Sequence, residues 1–304
     1  MLCLDVVQII CDFCDLTTQI NLIKTCKEYD ENLKIRKLTT TDVTNPQVTQ
    51  EIILQKKFNQ LRYVDAWDNS KITNVNHLKD TLMELYCRGW KCGIHQEGIN
   101  ELRKLQKLEA WDNYEITNVN HLKETLIVLD CSYGCDIHQE EINGLRKLQK
   151  LYASGNNRIT NVNHLKDTLI ELSCSGEFCG IRQEGINELR KLQKLNASCN
   201  NKITNVNHLK DTLIELSCCG EFCEIRQEGI NELRKLQKLN ASYNNKITNV
   251  NHLKDTLIEL SCCGAFCGIT QEGINELRKL QKLNAQSNEK ITMGYIKNIH
   301  SSHH

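Results

Sequence analysis

The chain has 304 residues, with 38 Lys and Arg against 38 Asp and Glu, so no net field draws it to nucleic acid or an anionic membrane. No apolar run approaches a membrane span. Asp5 and Asp12 interrupt an apolar N-terminus that no basic residue precedes, which argues against a signal peptide, and 17 cysteines without an export signal point to a reducing, intracellular and cytoplasmic location.

From Leu4 the chain reads as helix. Val6, Ile9, Ile10 and Phe13 fall on one helical stripe; Asp15-Leu16-Thr17-Thr18 then breaks the helix and caps a second apolar one carrying Ile20, Leu22, Ile23 and Cys26. This segment resembles an F-box: an apolar first helix, a leucine opening the next segment, and Cys26-Lys27 shortly before the aromatic Tyr29. It departs from that family in carrying Cys3-Leu4 where Leu-Pro is usual and Tyr29 where Trp is common. The resemblance implies a small all-α domain, residues 1–40, docking a Skp-type adaptor and through it a cullin-based ubiquitin ligase. By position it implies an adaptor contact through Leu4, Val6, Ile9, Ile10, Phe13, Leu16 and Ile20. Without the resemblance the same helices read as a cap on the end of a repeat core. Exposure of Val6, Ile10 and Phe13, against their burial on Leu61 and Val64, separates the two readings.

A polar stretch with the one proline, Pro46, makes residues 41–57 a linker and N-terminal cap. From residue 58 to 299 the chain repeats itself, and 300–304 form a tail. Variants of Ile-Thr-Asn-Val-Asn-His-Leu open at Ile72, Ile116, Ile159, Ile203, Ile247 and Ile291, about 44 residues apart. A long fixed period means one unit stacked on its own copies. Each period holds two units, one like Leu192-x-x-Leu195-x-Ala197-x-x-Asn200 and one like Leu169-x-x-Leu172-x-Cys174, giving eleven units of 21 to 23 residues. That pattern resembles the leucine-rich repeat and implies an α/β solenoid, its short strands stacked as a curved parallel sheet. Asn69, Asn113, Asn156, Asn200, Asn244 and Asn288 form a column whose amides suit a turn off the strand. The second unit type lacks that asparagine, so its turn is held some other way. Ile186 to Leu192 has helical spacing and predicts a helical turn on the return side; Val206 to Leu213 does so over a shorter stretch.

Two cysteine columns run through the second unit type, Cys87, Cys131, Cys174, Cys218 and Cys262, and Cys92, Cys135, Cys179, Cys223 and Cys267. They read as core, because free Cys packs as a small hydrophobe and the spacing is not that of zinc ligands. A histidine column, His77, His121, His164, His208 and His252, reads as outward-facing. On the strands, lysines at 107, 150, 194, 238 and 282 alternate with glutamates at 84, 171, 215 and 259, each pairing contributing roughly 0.2–1 kcal/mol.

The early units differ from the later ones. They present Asp65, Trp67, Asp68, Tyr86, Arg88, Glu109, Trp111, Asp112 and Tyr152, with all three tryptophans between 67 and 111. Trp, Tyr and Arg dominate interface hot spots, so a protein substrate of unknown identity is expected on this aromatic, acid-rimmed part of the sheet face. No converging acid, base and nucleophile, phosphate loop or metal motif stands out from the ladders. No catalysis, cofactor, nucleic acid or membrane is therefore expected. The order of F-box and near-identical Asn- and Cys-rich repeats also resembles proteins carried by giant DNA viruses of amoebae, which implies a host-directed ligase adaptor in the host cytoplasm. The alternative is a stand-alone interaction scaffold with no ligase role.

Overall fold

The computed structural model describes residues 3–39, 42 and 48–292; Pro46, the last repeat residues beyond 292 and the tail lie outside them. The chain forms two compact units, residues 1–147 and 148–304. The first opens with three helices, α1 Leu4–Asp12, α2 Leu16–Lys24 and α3 Lys27–Asn32. Strands β1 Lys37–Leu38, β2 Tyr63–Asp65, β3 Glu84–Tyr86, β4 Lys107–Glu109 and β5 Val128–Asp130 come next, paired in parallel and in chain order. The second unit holds β6 Lys150–Tyr152, β7 Glu171–Ser173, β8 Lys194–Asn196, β9 Glu215–Ser217, β10 Lys238–Asn240, β11 Glu259–Ser261 and β12 Lys282–Asn284, again parallel and in order. In each three-residue strand from β2 on, the central residue is buried, and the repeat's leucines, isoleucines, valines and cysteines make the core behind it.

The asparagine column closes the turn off each first-type strand. Asn200 is fully buried; its Nδ2 donates to the carbonyls of Cys174 (2.8 Å) and Ile181 (3.3 Å), and its Oδ1 accepts from the amides of Lys202 (2.8 Å) and Ile203 (3.2 Å). One side chain thus satisfies four backbone groups that the departing chain would otherwise bury unpaired. In the second unit type a cysteine fills that slot. The thiols of Cys179, Cys223 and Cys267 donate to the carbonyls of Ala153, Ala197 and Ala241 at 3.5, 3.6 and 3.5 Å, the acceptors corresponding to those the asparagines use. A thiol cannot gather the turn amides as Oδ1 does, so backbone replaces it: Cys179 N–H bonds Gly176 O (3.1 Å) and Gly180 N–H bonds Asn156 O (2.8 Å).

The return segments correct one expectation. Ile186 to Leu192 forms no helix; a single 3₁₀ turn lies just before it at Gln183–Gly185, and another at Asn207–Leu209. An α-helix with its side chains is about 10–12 Å across, whereas hydrogen-bonded strands bring successive coils to about 4.8 Å. The tighter turn fits this spacing in most coils, while Gln139–Ile142 of the first unit closes a single α-helical turn at the same place.

The seven-residue motif becomes legible coil by coil. Gln183 Oε1 accepts from the amides of Thr204 (3.0 Å) and Asn205 (2.9 Å) on the following coil, and its Nε2 donates to Asn205 O (2.9 Å). Asn205 Oδ1 accepts from Asn207 N–H (2.8 Å), setting the 3₁₀ turn, and Asn207 Nδ2 reaches Glu228 O on the next coil (2.7 Å). Ile203, Val206 and Leu209 fill the core. The histidines face outward as expected, and each also staples its coil to the one before. The exposed side chains of His77, His121, His208 and His252 direct Nε2 at the carbonyls of Ile53, Ile99, Ile186 and Ile230, at 3.0–3.2 Å.

Desolvation holds these four histidines below the ordinary 6.5, outweighing the carbonyl contact that works the other way. Their folded pKa is depressed, so the unfolded chain takes up protons first as pH falls. Their contribution is complete above about pH 6.5 and lost below it. The melting temperature should therefore fall between pH 7.5 and 5.5, a range above that in which carboxylates titrate. Replacing His208 and His252 together with Gln should shrink that fall; an equal fall in both proteins would refute the staple's role in acid sensitivity.

Candidate functional site

The helical segment is built inside out. Asp15 caps α2, accepting from the Thr18 amide (2.8 Å) and hydroxyl (3.1 Å). The packed face of α1 is Val7, Gln8 and Cys11. Gln8 exchanges two hydrogen bonds with the Lys34 peptide, Nε2 to O and N–H to Oε1, each 2.8 Å, while Asp12 pairs with Arg36 at 3.0 Å. Polar clamps thus hold α1 to the chain leading into β1. Its apolar stripe faces solvent: Val6 is 42%, Ile9 55%, Ile10 45% and Phe13 88% exposed. Leu4, Leu16 and Ile20 are half-buried. The stripe is thus exposed on a helix whose inner face is already occupied.

On the strand face of the first unit, Arg88 gathers the residues singled out there. Its guanidinium pairs with Asp65 (2.8 Å) and Glu109 (3.2 Å) and lies 5.1 Å from the Tyr86 ring centre and 6.0 Å from that of Trp67. Lys107 Nζ reaches Glu109 and the Tyr86 hydroxyl, both at 2.8 Å. The carboxylates of Asp65 and Glu109 are therefore engaged within the face rather than presented as an acidic rim. Trp67 is exposed and Trp111 half-buried. Asp68 and Asp112 take left-handed backbone, φ 53° and 59°, at the turns leaving their strands, and Asp112 accepts from the Tyr114 hydroxyl at 3.2 Å. Tyr152 lies on β6 of the second unit and donates to Glu171 at 2.8 Å. Two members of the first-unit face escaped sequence reasoning: Tyr63, packed 5.0 Å from Tyr86, and Lys107, which reads as one more lysine of the ladder. Burial and the Asp65 charge push the Tyr63 hydroxyl up to about 12.

No protein-family model matches the chain, and no curated protein matches it. Similar solved structures include the functional domain of InlJ from Listeria monocytogenes, which includes a cysteine ladder, with 23% identity and a TM-score of 0.48 over 83% of this chain. The chain spans 47% of that structure. An internalin, InlF, from the same organism has 15% identity and a TM-score of 0.45, covering 75% of this chain and 74% of its own. A leucine-rich-repeat protein of Leptospira interrogans has 16% identity and a TM-score of 0.45, covering 89% and 86%. The fold is a leucine-rich-repeat solenoid. The strand register, the leucine core and the asparagine column together carry it. At these identities nothing of the partners of those proteins transfers to this chain.

The cysteine columns are buried throughout. Burial pushes Cys135 and Cys262 up to about 12 and Cys87 and Cys174 well above the ordinary thiol value, whereas the hydrogen bond with Cys218 lowers Cys223. Among the described residues, no three His, Cys, Asp or Glu side chains converge as a metal would need, and no helix is long and apolar enough to cross a membrane.

Proposed function

We propose that the chain is a substrate-recognition adaptor of a Skp–cullin–F-box type ubiquitin ligase. In this reading α1 and α2 dock the Skp-type adaptor through Val6, Ile9, Ile10 and Phe13, with Leu4, Leu16 and Ile20 at the margin. The strand face around Trp67, Tyr86, Arg88 and Trp111 holds the protein target so that proximity drives transfer. The observation that carries it is the solvent-facing apolar stripe of α1, opposite a face already fixed by Gln8 and Asp12. A helix serving only as a lid would turn that stripe inward, since burying each large apolar side chain stabilises by about 1.5–3 kcal/mol.

The test is a titration of the full chain with a purified Skp-type adaptor. Micromolar or tighter binding is expected. Phe13→Ala should weaken it by about 2 kcal/mol, roughly thirtyfold, without changing the melting temperature. Absence of binding would leave a repeat scaffold with no ligase role.

A further inference from the structure

The rim of the second unit carries a periodic aromatic row that the adaptor reading does not use. Phe178, Phe222 and Phe266 are 72%, 59% and 66% exposed, each in the turn leaving a second-type strand. They occupy identical places in coils two apart. Each is rigidly set: Gly176 N–H bonds Ser198 O (2.8 Å), Gly220 N–H bonds Ser242 O (2.8 Å) and Gly264 N–H bonds Gln286 O (2.9 Å), two residues before each ring. Gly176, at φ +93°, makes the tight turn that lifts Phe178 out while Cys179 returns to the core. Between Phe222 and Phe266 lies Tyr243, 50% exposed, its ring laid over Gly264.

Amides border the row. Exposed Asn157, Asn201 and Asn245 each follow a buried ladder asparagine, and two residues beyond Phe178 and Phe266 the backbone of Gly180 and Gly268 rests against the Asn157 and Asn245 peptides. Among the described residues, the side chains of these three asparagines make no hydrogen bond, unlike the clamped asparagines of the motif. Charge on the rim is mixed: exposed Glu177 and Glu221 precede the first two rings, while Lys202, Lys246 and Lys290 donate to the carbonyls of Cys179, Cys223 and Cys267, the residues that follow the three rings.

Two coils advance about 9.6 Å. A polyproline II helix advances about 9.3 Å in three residues, which is one full turn, so a proline at every third position returns to the same edge at almost that interval. Its backbone has no internal hydrogen bonds, leaving carbonyls for amide and hydroxyl donors, and proline rings pack on aromatic faces. An extended β-strand, repeating its side every two residues at about 6.7 Å, falls out of step with the row. From this spacing and the free amides we infer that the Phe178–Phe222–Phe266 rim binds a proline-rich protein segment in polyproline II form, with prolines three residues apart. The ligand lies along the stacking direction, one proline per phenylalanine, its carbonyls facing the asparagines and Tyr243.

The test titrates the full chain with a fluorescent peptide of repeating Pro-Arg-Ala, and with one of repeating Pro-Arg-Ala-Ala that puts the prolines out of step. The in-register peptide should bind saturably, and Phe222→Ala, at an exposed position that leaves the fold intact by circular dichroism, should weaken it at least about tenfold. The out-of-step peptide should bind the parent chain at least about tenfold more weakly, since it can seat one proline at a time. Equal binding of both peptides, indifference to Phe222→Ala, or no binding would overturn the proposal. So would saturable capture, at the same rim, of a β-linked oligosaccharide such as chitohexaose in place of the peptide.

Discussion

Replacing Asn200 with Ala is expected to destabilise the second unit by about 3–5 kcal/mol, one of the two largest single-residue effects in the chain. The side chain has no solvent exposure, and its removal strands the carbonyls of Cys174 and Ile181 and the amides of Lys202 and Ile203. Each buried unsatisfied group costs about 1–3 kcal/mol, and the sum falls short of four full penalties because water enters the vacated space. Cys179→Ala supplies the comparison in the other unit type. It loses one weak thiol bond to Ala153 and leaves a small void, an expected cost of about 1–2 kcal/mol. Stacked coils need not unfold as one body, so urea melts should be joined by hydrogen exchange at Lys202 and Ile203. Faster exchange there in Asn200→Ala, with distant coils unchanged, is the expected pattern. Equal destabilisation by the two variants would mean the asparagine column is packing and not hydrogen bonding.

The sequence exposes this column and hides others because residue types differ in how many physical readings each allows. A leucine at a fixed interval has one, so the core and the parallel strands are legible from Leu192, Leu195 and their copies. An asparagine where a strand ends also has few readings. A cysteine has several, and that Cys179 fills the asparagine's slot depends on Gly176 and Gly180 supplying backbone bonds that no interval reveals. The histidines do face outward, as a polar ring between Asn and Leu suggests; what the interval hides is the isoleucine carbonyl that the neighbouring coil places 3.0 Å from His208. Ile186 to Leu192 reads as helix because local spacing carries no information about the pitch between coils. At the candidate face Trp67, Tyr86 and Arg88 are legible as a concentration of hot-spot residues. Their mutual neutralisation is not, because Asp65 and Glu109 lie 44 residues apart in sequence and meet only through Arg88. The Phe178 row was within reach: Phe-Cys recurs at 178, 222 and 266, but the buried cysteine draws attention away from the ring beside it.

The close approach of neighbouring coils also explains why glycine recurs inside the 3₁₀ turns, and Gly229→Ala is expected to cost about 3–5 kcal/mol. A methyl group at Gly229 would stand 2.2 Å from Thr204 O and 3.0 Å from Asn205 Cα, both backbone atoms of the preceding coil. No rotamer relieves a backbone contact, so the two coils must part. Parting them breaks the Val206 N–H to Gly229 O bond (2.9 Å) on one side. On the other it displaces Gln227, whose Oε1 accepts from the Thr248 and Asn249 amides at 2.9 Å each. The penalty is thus shared across three coils, and hydrogen exchange at Val206, Thr248 and Asn249 should rise together. Gly144→Ala is the matched control in the first unit, since its methyl would meet nothing nearer than Asn120 Oδ1 at 3.5 Å. There alanine should be neutral or stabilise by up to about 1 kcal/mol, through the entropy it removes from the unfolded chain. If both substitutions cost the same, the turn glycines serve backbone freedom in general; a loss confined to Gly229→Ala means they serve the distance between coils.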